Sequence, residues 1–239
     1  MGGNLMKKDD AVSPVIALML ILAILATCLA VYTTTYVPGL KQQDEITHSG
    51  DVRLTFERFA SDIDNLIAQG KPAVYTEVLE LGGGDVPLSP AKSSGTLTIE
   101  ETVLGTYTIG GKKENLTGIR AVYLPSFTAW EKQGYRYENG LVWVTKEEKK
   151  TPAALTLYTI QDGLDAENTT LLAWYANGAS VIPRFTAKEK QEISGTSAVK
   201  LRLNATVSDI VPEATVKLAG GTDTTYTNFR WLTIEVSLE

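Results

Sequence analysis

The chain has 239 residues, 44% of them hydrophobic and 21% charged, with a formal net charge of −6, enough for a sizeable core and one or two domains. The only lysine pairs, Lys7-Lys8, Lys112-Lys113 and Lys149-Lys150, each have an acidic residue beside them; the basic face needed to neutralise phosphates is missing, which excludes nucleic acid as a partner. One cysteine, Cys28, and one histidine, His48, exclude an intramolecular disulfide and a His/Cys zinc site.

The first ten residues are polar and end in Lys7-Lys8-Asp9-Asp10; no further charge appears until Lys41. The apolar run between is long enough for a helix to cross the roughly 30 Å of a bilayer core. Pro14 suits a first helical turn with Ser13 as N-cap. Tyr32 and Tyr36 fall where an aromatic belt meets headgroups, and Pro38-Gly39 is expected to break or kink the helix. Three readings compete. A cleaved secretory signal wants a basic n-region and an apolar core of about 7–15 residues, whereas here Asp9 and Asp10 abut a longer run. A lipoprotein signal would use Leu25-Ala26-Thr27-Cys28, against the plainer reading of a small apolar cysteine within a helix. The third reading is a retained anchor, trimmed just before the helix. Lys7 and Lys8 favour a cytoplasmic N-terminus, which puts the bulk of the chain outside.

Leu40 to Glu45 continues in helical character, with Lys41 and Glu45 as an i,i+4 pair. His48 reads as a solvated linker histidine rather than a pH sensor. From Asp51 to Ala68, Val52, Phe56, Phe59, Ile63, Leu66 and Ile67 recur at steps of three and four, the pattern of an amphipathic helix. Arg53, Glu57, Arg58, Asp62 and Asp64 fall largely off the stripe, and Gly70 with Pro72 ends it.

Beyond Ala73 the period changes to two. Strands are predicted over residues 74–81, 96–101, 105–109, 118–124, 136–139, 141–145, 155–160, 171–176, 200–207, 214–218 and 229–238. Asn139-Gly140 is the strongest hairpin signal. In 200–207, Leu201, Leu203, Ala205 and Val207 alternate with polar residues, one face in and one face wet. Short strands at fairly even spacing predict a β-sandwich-like domain. The run Lys146 to Lys150 reads as a solvated loop. Trp130, Tyr135, Tyr137 and Trp143 read as core in preference to an exposed aromatic strip.

The charged leader Lys8-Asp9-Asp10 followed by Ala11-Val12-Ser13-Pro14-Val15-Ile16 resembles the N-terminus of archaeal type IV pilins and their relatives. The resemblance implies that a prepilin peptidase cuts near Asp10–Ala11, or one residue earlier, and that the helix stays on the mature protein. Val12, Ser13, Pro14, Val15, Ile16 and onward to Val37 would then form the anchor. Ala17 stands where many relatives have glycine, and with that cut Val15 stands where bacterial pilins have glutamate. The stretch Tyr123 to Trp143 also resembles the body of secreted archaeal pilin-like proteins, a group with no assigned activity.

Three sequons, at Asn115, Asn168 and Asn204, are candidate glycosylation sites. Asn204 alternates onto a polar strand face; Asn115 and Asn168 lie in turn-like stretches. The acid pairs Glu100-Glu101 and Glu147-Glu148 read as solvated turns, because neighbours on a strand point to opposite faces and make a poor acid/base couple. The Asp162–Asn168 stretch offers oxygen ligands at short spacing but departs from the EF-hand pattern. No nucleophile motif, phosphate loop or dinucleotide fingerprint is present, so neither an enzyme nor a cofactor or metal site is predicted.

The expectation is therefore a mostly β protein with a long N-terminal helix, in four parts. Residues 1–10 are a leader, 11–37 a membrane or pilin-type helix, 38–70 a helical stalk, and 71–239 an extracellular β-rich domain. The resemblance implies a single-pass cell-membrane protein, processed by a prepilin peptidase and assembled with other pilin subunits as a structural or adhesive minor subunit of a surface filament. The alternative is a singly anchored surface-binding module that does not polymerise.

Overall fold

A computed structural model describes residues 12–83, 86–87, 89, 92–138, 140–146, 149–154, 180–187, 190–219 and 223–239. The chain opens with helix α1 (Val12–Val31), a π-helical turn (Tyr32–Tyr36) and helix α2 (Val37–Gln69). These form one continuous rod, so Pro38-Gly39 does not interrupt it as the sequence suggested. The reason lies in the turn before Pro38. Proline cannot donate to the carbonyl four residues back, and its ring would crowd it. The wider π turn instead closes with the Val37 N–H on the Tyr32 carbonyl, absorbing the residue that lacks a donor.

Helix α2 stops where expected. Gly70 adopts φ +57°, its N–H bonded to the Leu66 carbonyl at 3.0 Å, a left-handed cap that glycine enters without a Cβ penalty. The stripe read from the sequence is the buried face: Val52, Phe56, Phe59, Ile63, Leu66 and Ile67 are all in the core.

Eleven strands follow among the described residues: β1 (Ala73–Glu80), β2 (Ser94–Ile109), β3 (Lys112–Ser126), β4 (Gln133–Glu138), β5 (Leu141–Lys146), β6 (Lys149–Ala154), β7 (Val181–Ala187), β8 (Gln191–Gly195), β9 (Ala198–Val207), β10 (Val211–Leu218) and β11 (Asp223–Leu238). They join in the order β1-β9-β11-β10-β2-β3-β4-β5-β6, with β7 beside β11 and β8 beside β2. All pairings are antiparallel except β7 with β11. Two long strands make the sheet continuous. The first half of β11 pairs with β10 and the second half with β9 and β7. The first half of β2 pairs with β8 and the second with β10, while β3 runs along its other side. The sheet bends into a half-barrel around α2, which touches β1 and β9 on one flank and β4 and β5 on the other. The helix stripe and the inward residues of the strands, among them Leu97, Ile99, Leu203, Leu232 and Ile234, make one core.

The expected helix-plus-β class is thus present, and several boundaries differ from the sequence reading. The segments 96–101 and 105–109 are one strand with a bulge between Val103 and Gly105. A Cβ on Gly105 would lie 2.2 Å from the Lys217 carbonyl oxygen, so glycine lets β10 approach there instead of ending a strand. Strand β3 begins six residues before the predicted start. Strands β6, β7 and β8 went unpredicted: β6 and β7 each contain a proline, Pro152 and Pro183, which reads as a strand breaker. Strands β4 and β5 pair with Glu138 opposite Leu141, as the hairpin signal predicts, while Asn139 itself lies outside the described residues. The predicted strands 155–160 and 171–176 lie outside the described residues.

Candidate functional site: an exposed apolar helix and its polar junction with the β-domain

Helix α1 stands clear of the described strands; Val15, Ile16 and every large apolar residue through Leu29 and Val31 are more than half exposed. Its 20 residues span about 30 Å, and it is long and apolar enough to cross a membrane. Thr27, Thr33 and Thr34 turn their hydroxyls back to the carbonyls of Ala23, Leu29 and Ala30, at 2.8, 3.0 and 2.7 Å. Each therefore presents its methyl to an apolar surrounding with its O–H satisfied. Cys28 is exposed on the same rod. Among the predicted processing and anchor residues, Asp10 and Ala11 lie outside the described residues. Val12 and Ser13 open α1 without described side chains, and Pro14 is exposed. Val37 differs: it is 4% exposed at the start of α2, so the β-domain begins to cover the helix where the apolar run ends. Just before it, Tyr32 and Tyr36 stack at 6.3 Å.

The junction above this point is polar and buried, which the sequence reading missed. Glu45, expected to pair with Lys41, is fully buried. Its carboxylate accepts hydrogen bonds from the backbone N–H of Thr128 at 2.9 Å and of Ala129 at 2.8 Å, and from the Ser93 hydroxyl. Burial by itself would push its pKa up; the bonds from Ser93 and from the Thr128, Ala129 and Trp130 backbone outweigh burial and hold the pKa below its ordinary value. One carboxylate thus joins α2, the residue preceding β2 and the β3–β4 loop.

One turn on, His48 is 7% exposed and not a solvated linker. The Tyr123 hydroxyl donates to the Leu81 carbonyl at 2.9 Å, so its oxygen accepts from His48 Nε2 at 3.0 Å, a tautomer assigned from the network. Burial pushes the His48 pKa down against the pull of the Leu81 carbonyl and of Asp44, Asp51 and Glu80. Ser49 meets the Tyr135 hydroxyl at 3.1 Å, and Gln133 donates to the same oxygen at 2.6 Å. The signal for this cluster was available in the sequence: Glu45, His48 and Ser49 precede Val52 and Phe56 at the same helical spacing.

The remaining candidate residues scatter. Asn115 lies exposed within β3 opposite Thr106 instead of in a turn. Asn204 is half-buried on the outer face of β9, between Val74 and Glu235. Asn168 and the Asp162–Asn168 stretch lie outside the described residues. Tyr135 and Tyr137 are core, as expected, whereas Trp130 and Trp143 are half-buried. Glu100 pairs with Arg120 at 2.8 Å while Glu101 accepts from the Ala187 N–H at 2.7 Å. These neighbours serve different partners on opposite faces of β2. Of the run from Lys146 to Lys150, Lys146 closes β5 opposite Lys149 of β6, and residues 147–148 lie outside the described residues. No family model, curated protein or solved structure matches the chain.

Proposed function

We propose that this protein is a pilin-like surface subunit: its N-terminal helix is held in a membrane or among the helices of neighbouring subunits, and its β-domain faces outward in a structural or adhesive role. The observation carrying this reading is the division of one continuous helix into a wholly exposed apolar half and a half enclosed by the sheet. An uncovered apolar rod of that length is incompatible with water and needs lipid or other helices around it. The opening Ala11-Val12-Ser13-Pro14-Val15-Ile16, through its resemblance to archaeal type IV pilins, adds prepilin peptidase processing and filament assembly. The buried Glu45 and His48 links fit this role, since a helix under axial load must be fixed to its head.

Intact-mass measurement and N-terminal sequencing of native protein from washed cells test the proposal. A mature chain beginning at Ala11, or one residue before it, and retaining the helix supports it; filaments in the shear fraction that contain the protein then distinguish a subunit from a singly anchored module. A start after Cys28 or Ala30 would mean a conventional signal was removed and overturns it.

A further inference from the structure

The far end of the β-domain carries a second feature, independent of the helix. Strand β2 leaves the Glu45 junction at Ser94 and ends at Ile109, up to about 50 Å away along the strand. There a crevice of about 470 Å³ lies between the β2–β3 hairpin and the start of β10. Its base holds Arg184, Tyr107 and Trp231; its walls include Ile109, Ile210 and Pro212. Ile210 is 58% exposed at the mouth.

The unusual group is Arg184. Its guanidinium carbon sits 5.5 Å from the centre of the Trp231 ring, and its Nε donates to Thr233 Oγ1 at 2.8 Å. Tyr107 also feels it: burial and Glu114 push the Tyr107 pKa up, and Arg184 opposes them. Among the described residues no carboxylate lies within ion-pair distance of Arg184, and the nearby Glu114 accepts the Tyr107 O–H. A half-buried guanidinium ordinarily has an anion. Here an aromatic face and the hydroxyls of Thr233 and Tyr107 fix its position, and among the described residues no carboxylate pairs with it beside a crevice with apolar walls. Lys112 also lines the space, so two cations face one carboxylate in a chain of net charge −6.

We propose that this distal crevice is a binding site for a carboxylate carried on an apolar body, with the carboxylate on Arg184 and the body against Ile109, Ile210 and Pro212. A planar carboxylate matches the guanidinium fork, and the walls account for the apolar part. The proposal stands or falls separately from the role of the helix.

Isothermal titration of the full chain in zwitterionic detergent tests it, with cyclohexanecarboxylate and its neutral amide, cyclohexanecarboxamide, as probes. The carboxylate is expected to bind about tenfold more tightly, a preference that shrinks as salt rises. Arg184→Gln abolishes the preference. Because that change also removes the contacts to Trp231 and Thr233, the exposed Ile210 supplies a second pair of variants. Ile210→Asp and Ile210→Lys both remove the same apolar wall and weaken the amide equally, whereas Ile210→Lys binds the carboxylate about tenfold more tightly than Ile210→Asp. Equal binding of the two probes, no saturable binding of the carboxylate, or identical behaviour of the Asp and Lys variants overturns the proposal.

Discussion

Two ionisable residues on α2 show how burial can be tolerated or left as a cost. Glu45 is buried with its oxygens occupied by backbone N–H groups and a hydroxyl. Removing the carboxylate leaves those donors buried and unsatisfied, at about 1–3 kcal/mol for each. Glu45→Ala should therefore lower unfolding stability by about 3 kcal/mol, read from the urea midpoint at constant slope, and Glu45→Gln should fall between the two. Among the described residues Asp64 has no such partner. Burial pushes its pKa from 3.8 up to about 6. Asp62 rises to about 6 as well, through burial and then the charge and hydrogen bond of Glu77. A carboxyl whose folded pKa lies above its unfolded value binds a proton more strongly when folded. Its penalty is absent below pH 3.8, grows between 3.8 and about 6, and is fully present above that. Asp64→Asn should raise stability by about 1–2 kcal/mol at pH 7.5, after discounting the full shift for solvent screening, and by nothing near pH 4. His48, whose pKa is pushed down, adds the opposite slope below pH 6.5, but it is common to both proteins and cancels in their difference. Melting temperatures of the two at both pH values decide the matter: an equal gain at each would show that Asp64 does not titrate this way.

At the level of elements, what was legible depended on how local the cause was. The amphipathic half of α2 was readable because Phe56, Phe59, Ile63 and Leu66 repeat on one face, and Gly70 marked its end. Gly70→Ala should lower stability by about 1 kcal/mol, measured by chemical denaturation, because a Cβ would sit in a left-handed conformation 3.4 Å from Val181. A residue that is merely polar at this site, with no loss on substitution, would mean the cap is not held in that geometry. Strand β9 was readable for the same reason, its alternation reporting one wet face. The π turn was not readable: Pro38-Gly39 signals a break, and only the register of the helix on both sides shows that the chain continues. Strand β7 was hidden by Pro183, which is tolerated because, among the described residues, β11 is the only sheet neighbour of β7. The buried Glu45 and His48 had the right periodicity, but their charge reads as solvent exposure until Thr128, Ala129 and Tyr123, more than 70 residues away, are brought beside them.

The whole molecule is divided at Val37. Before it the helix stands clear of the described strands; after it the helix supplies one side of the core, between β1 and β9 on one flank and β4 and β5 on the other. The helix therefore has two separable jobs, and truncation should separate them. A chain beginning at Val37 keeps Val52, Phe56, Phe59, Ala60, Ile63 and Leu66, along with the Glu45 and His48 links. It should fold as a monomer without detergent and melt cooperatively, at a temperature within a few degrees of the full chain. A chain beginning at Lys71 loses every one of those side chains. Each large apolar side chain fully buried is worth about 1.5–3 kcal/mol, so the five large ones together contribute about 7–15 kcal/mol, as much as the whole 5–15 kcal/mol by which domains are ordinarily stable. The sheet of that shorter chain should expose its concave face, lose near-ultraviolet dichroism and aggregate. Were the chain from Lys71 to melt cooperatively as a monomer, the sheet would close on itself, and α2 would be a stalk attached to a domain rather than part of its core. Were the chain from Val37 to fail in turn, α1 would have to contribute to the fold through contacts that its complete exposure argues against. The two truncations together locate the boundary between the part that holds the head together and the part that holds it in place.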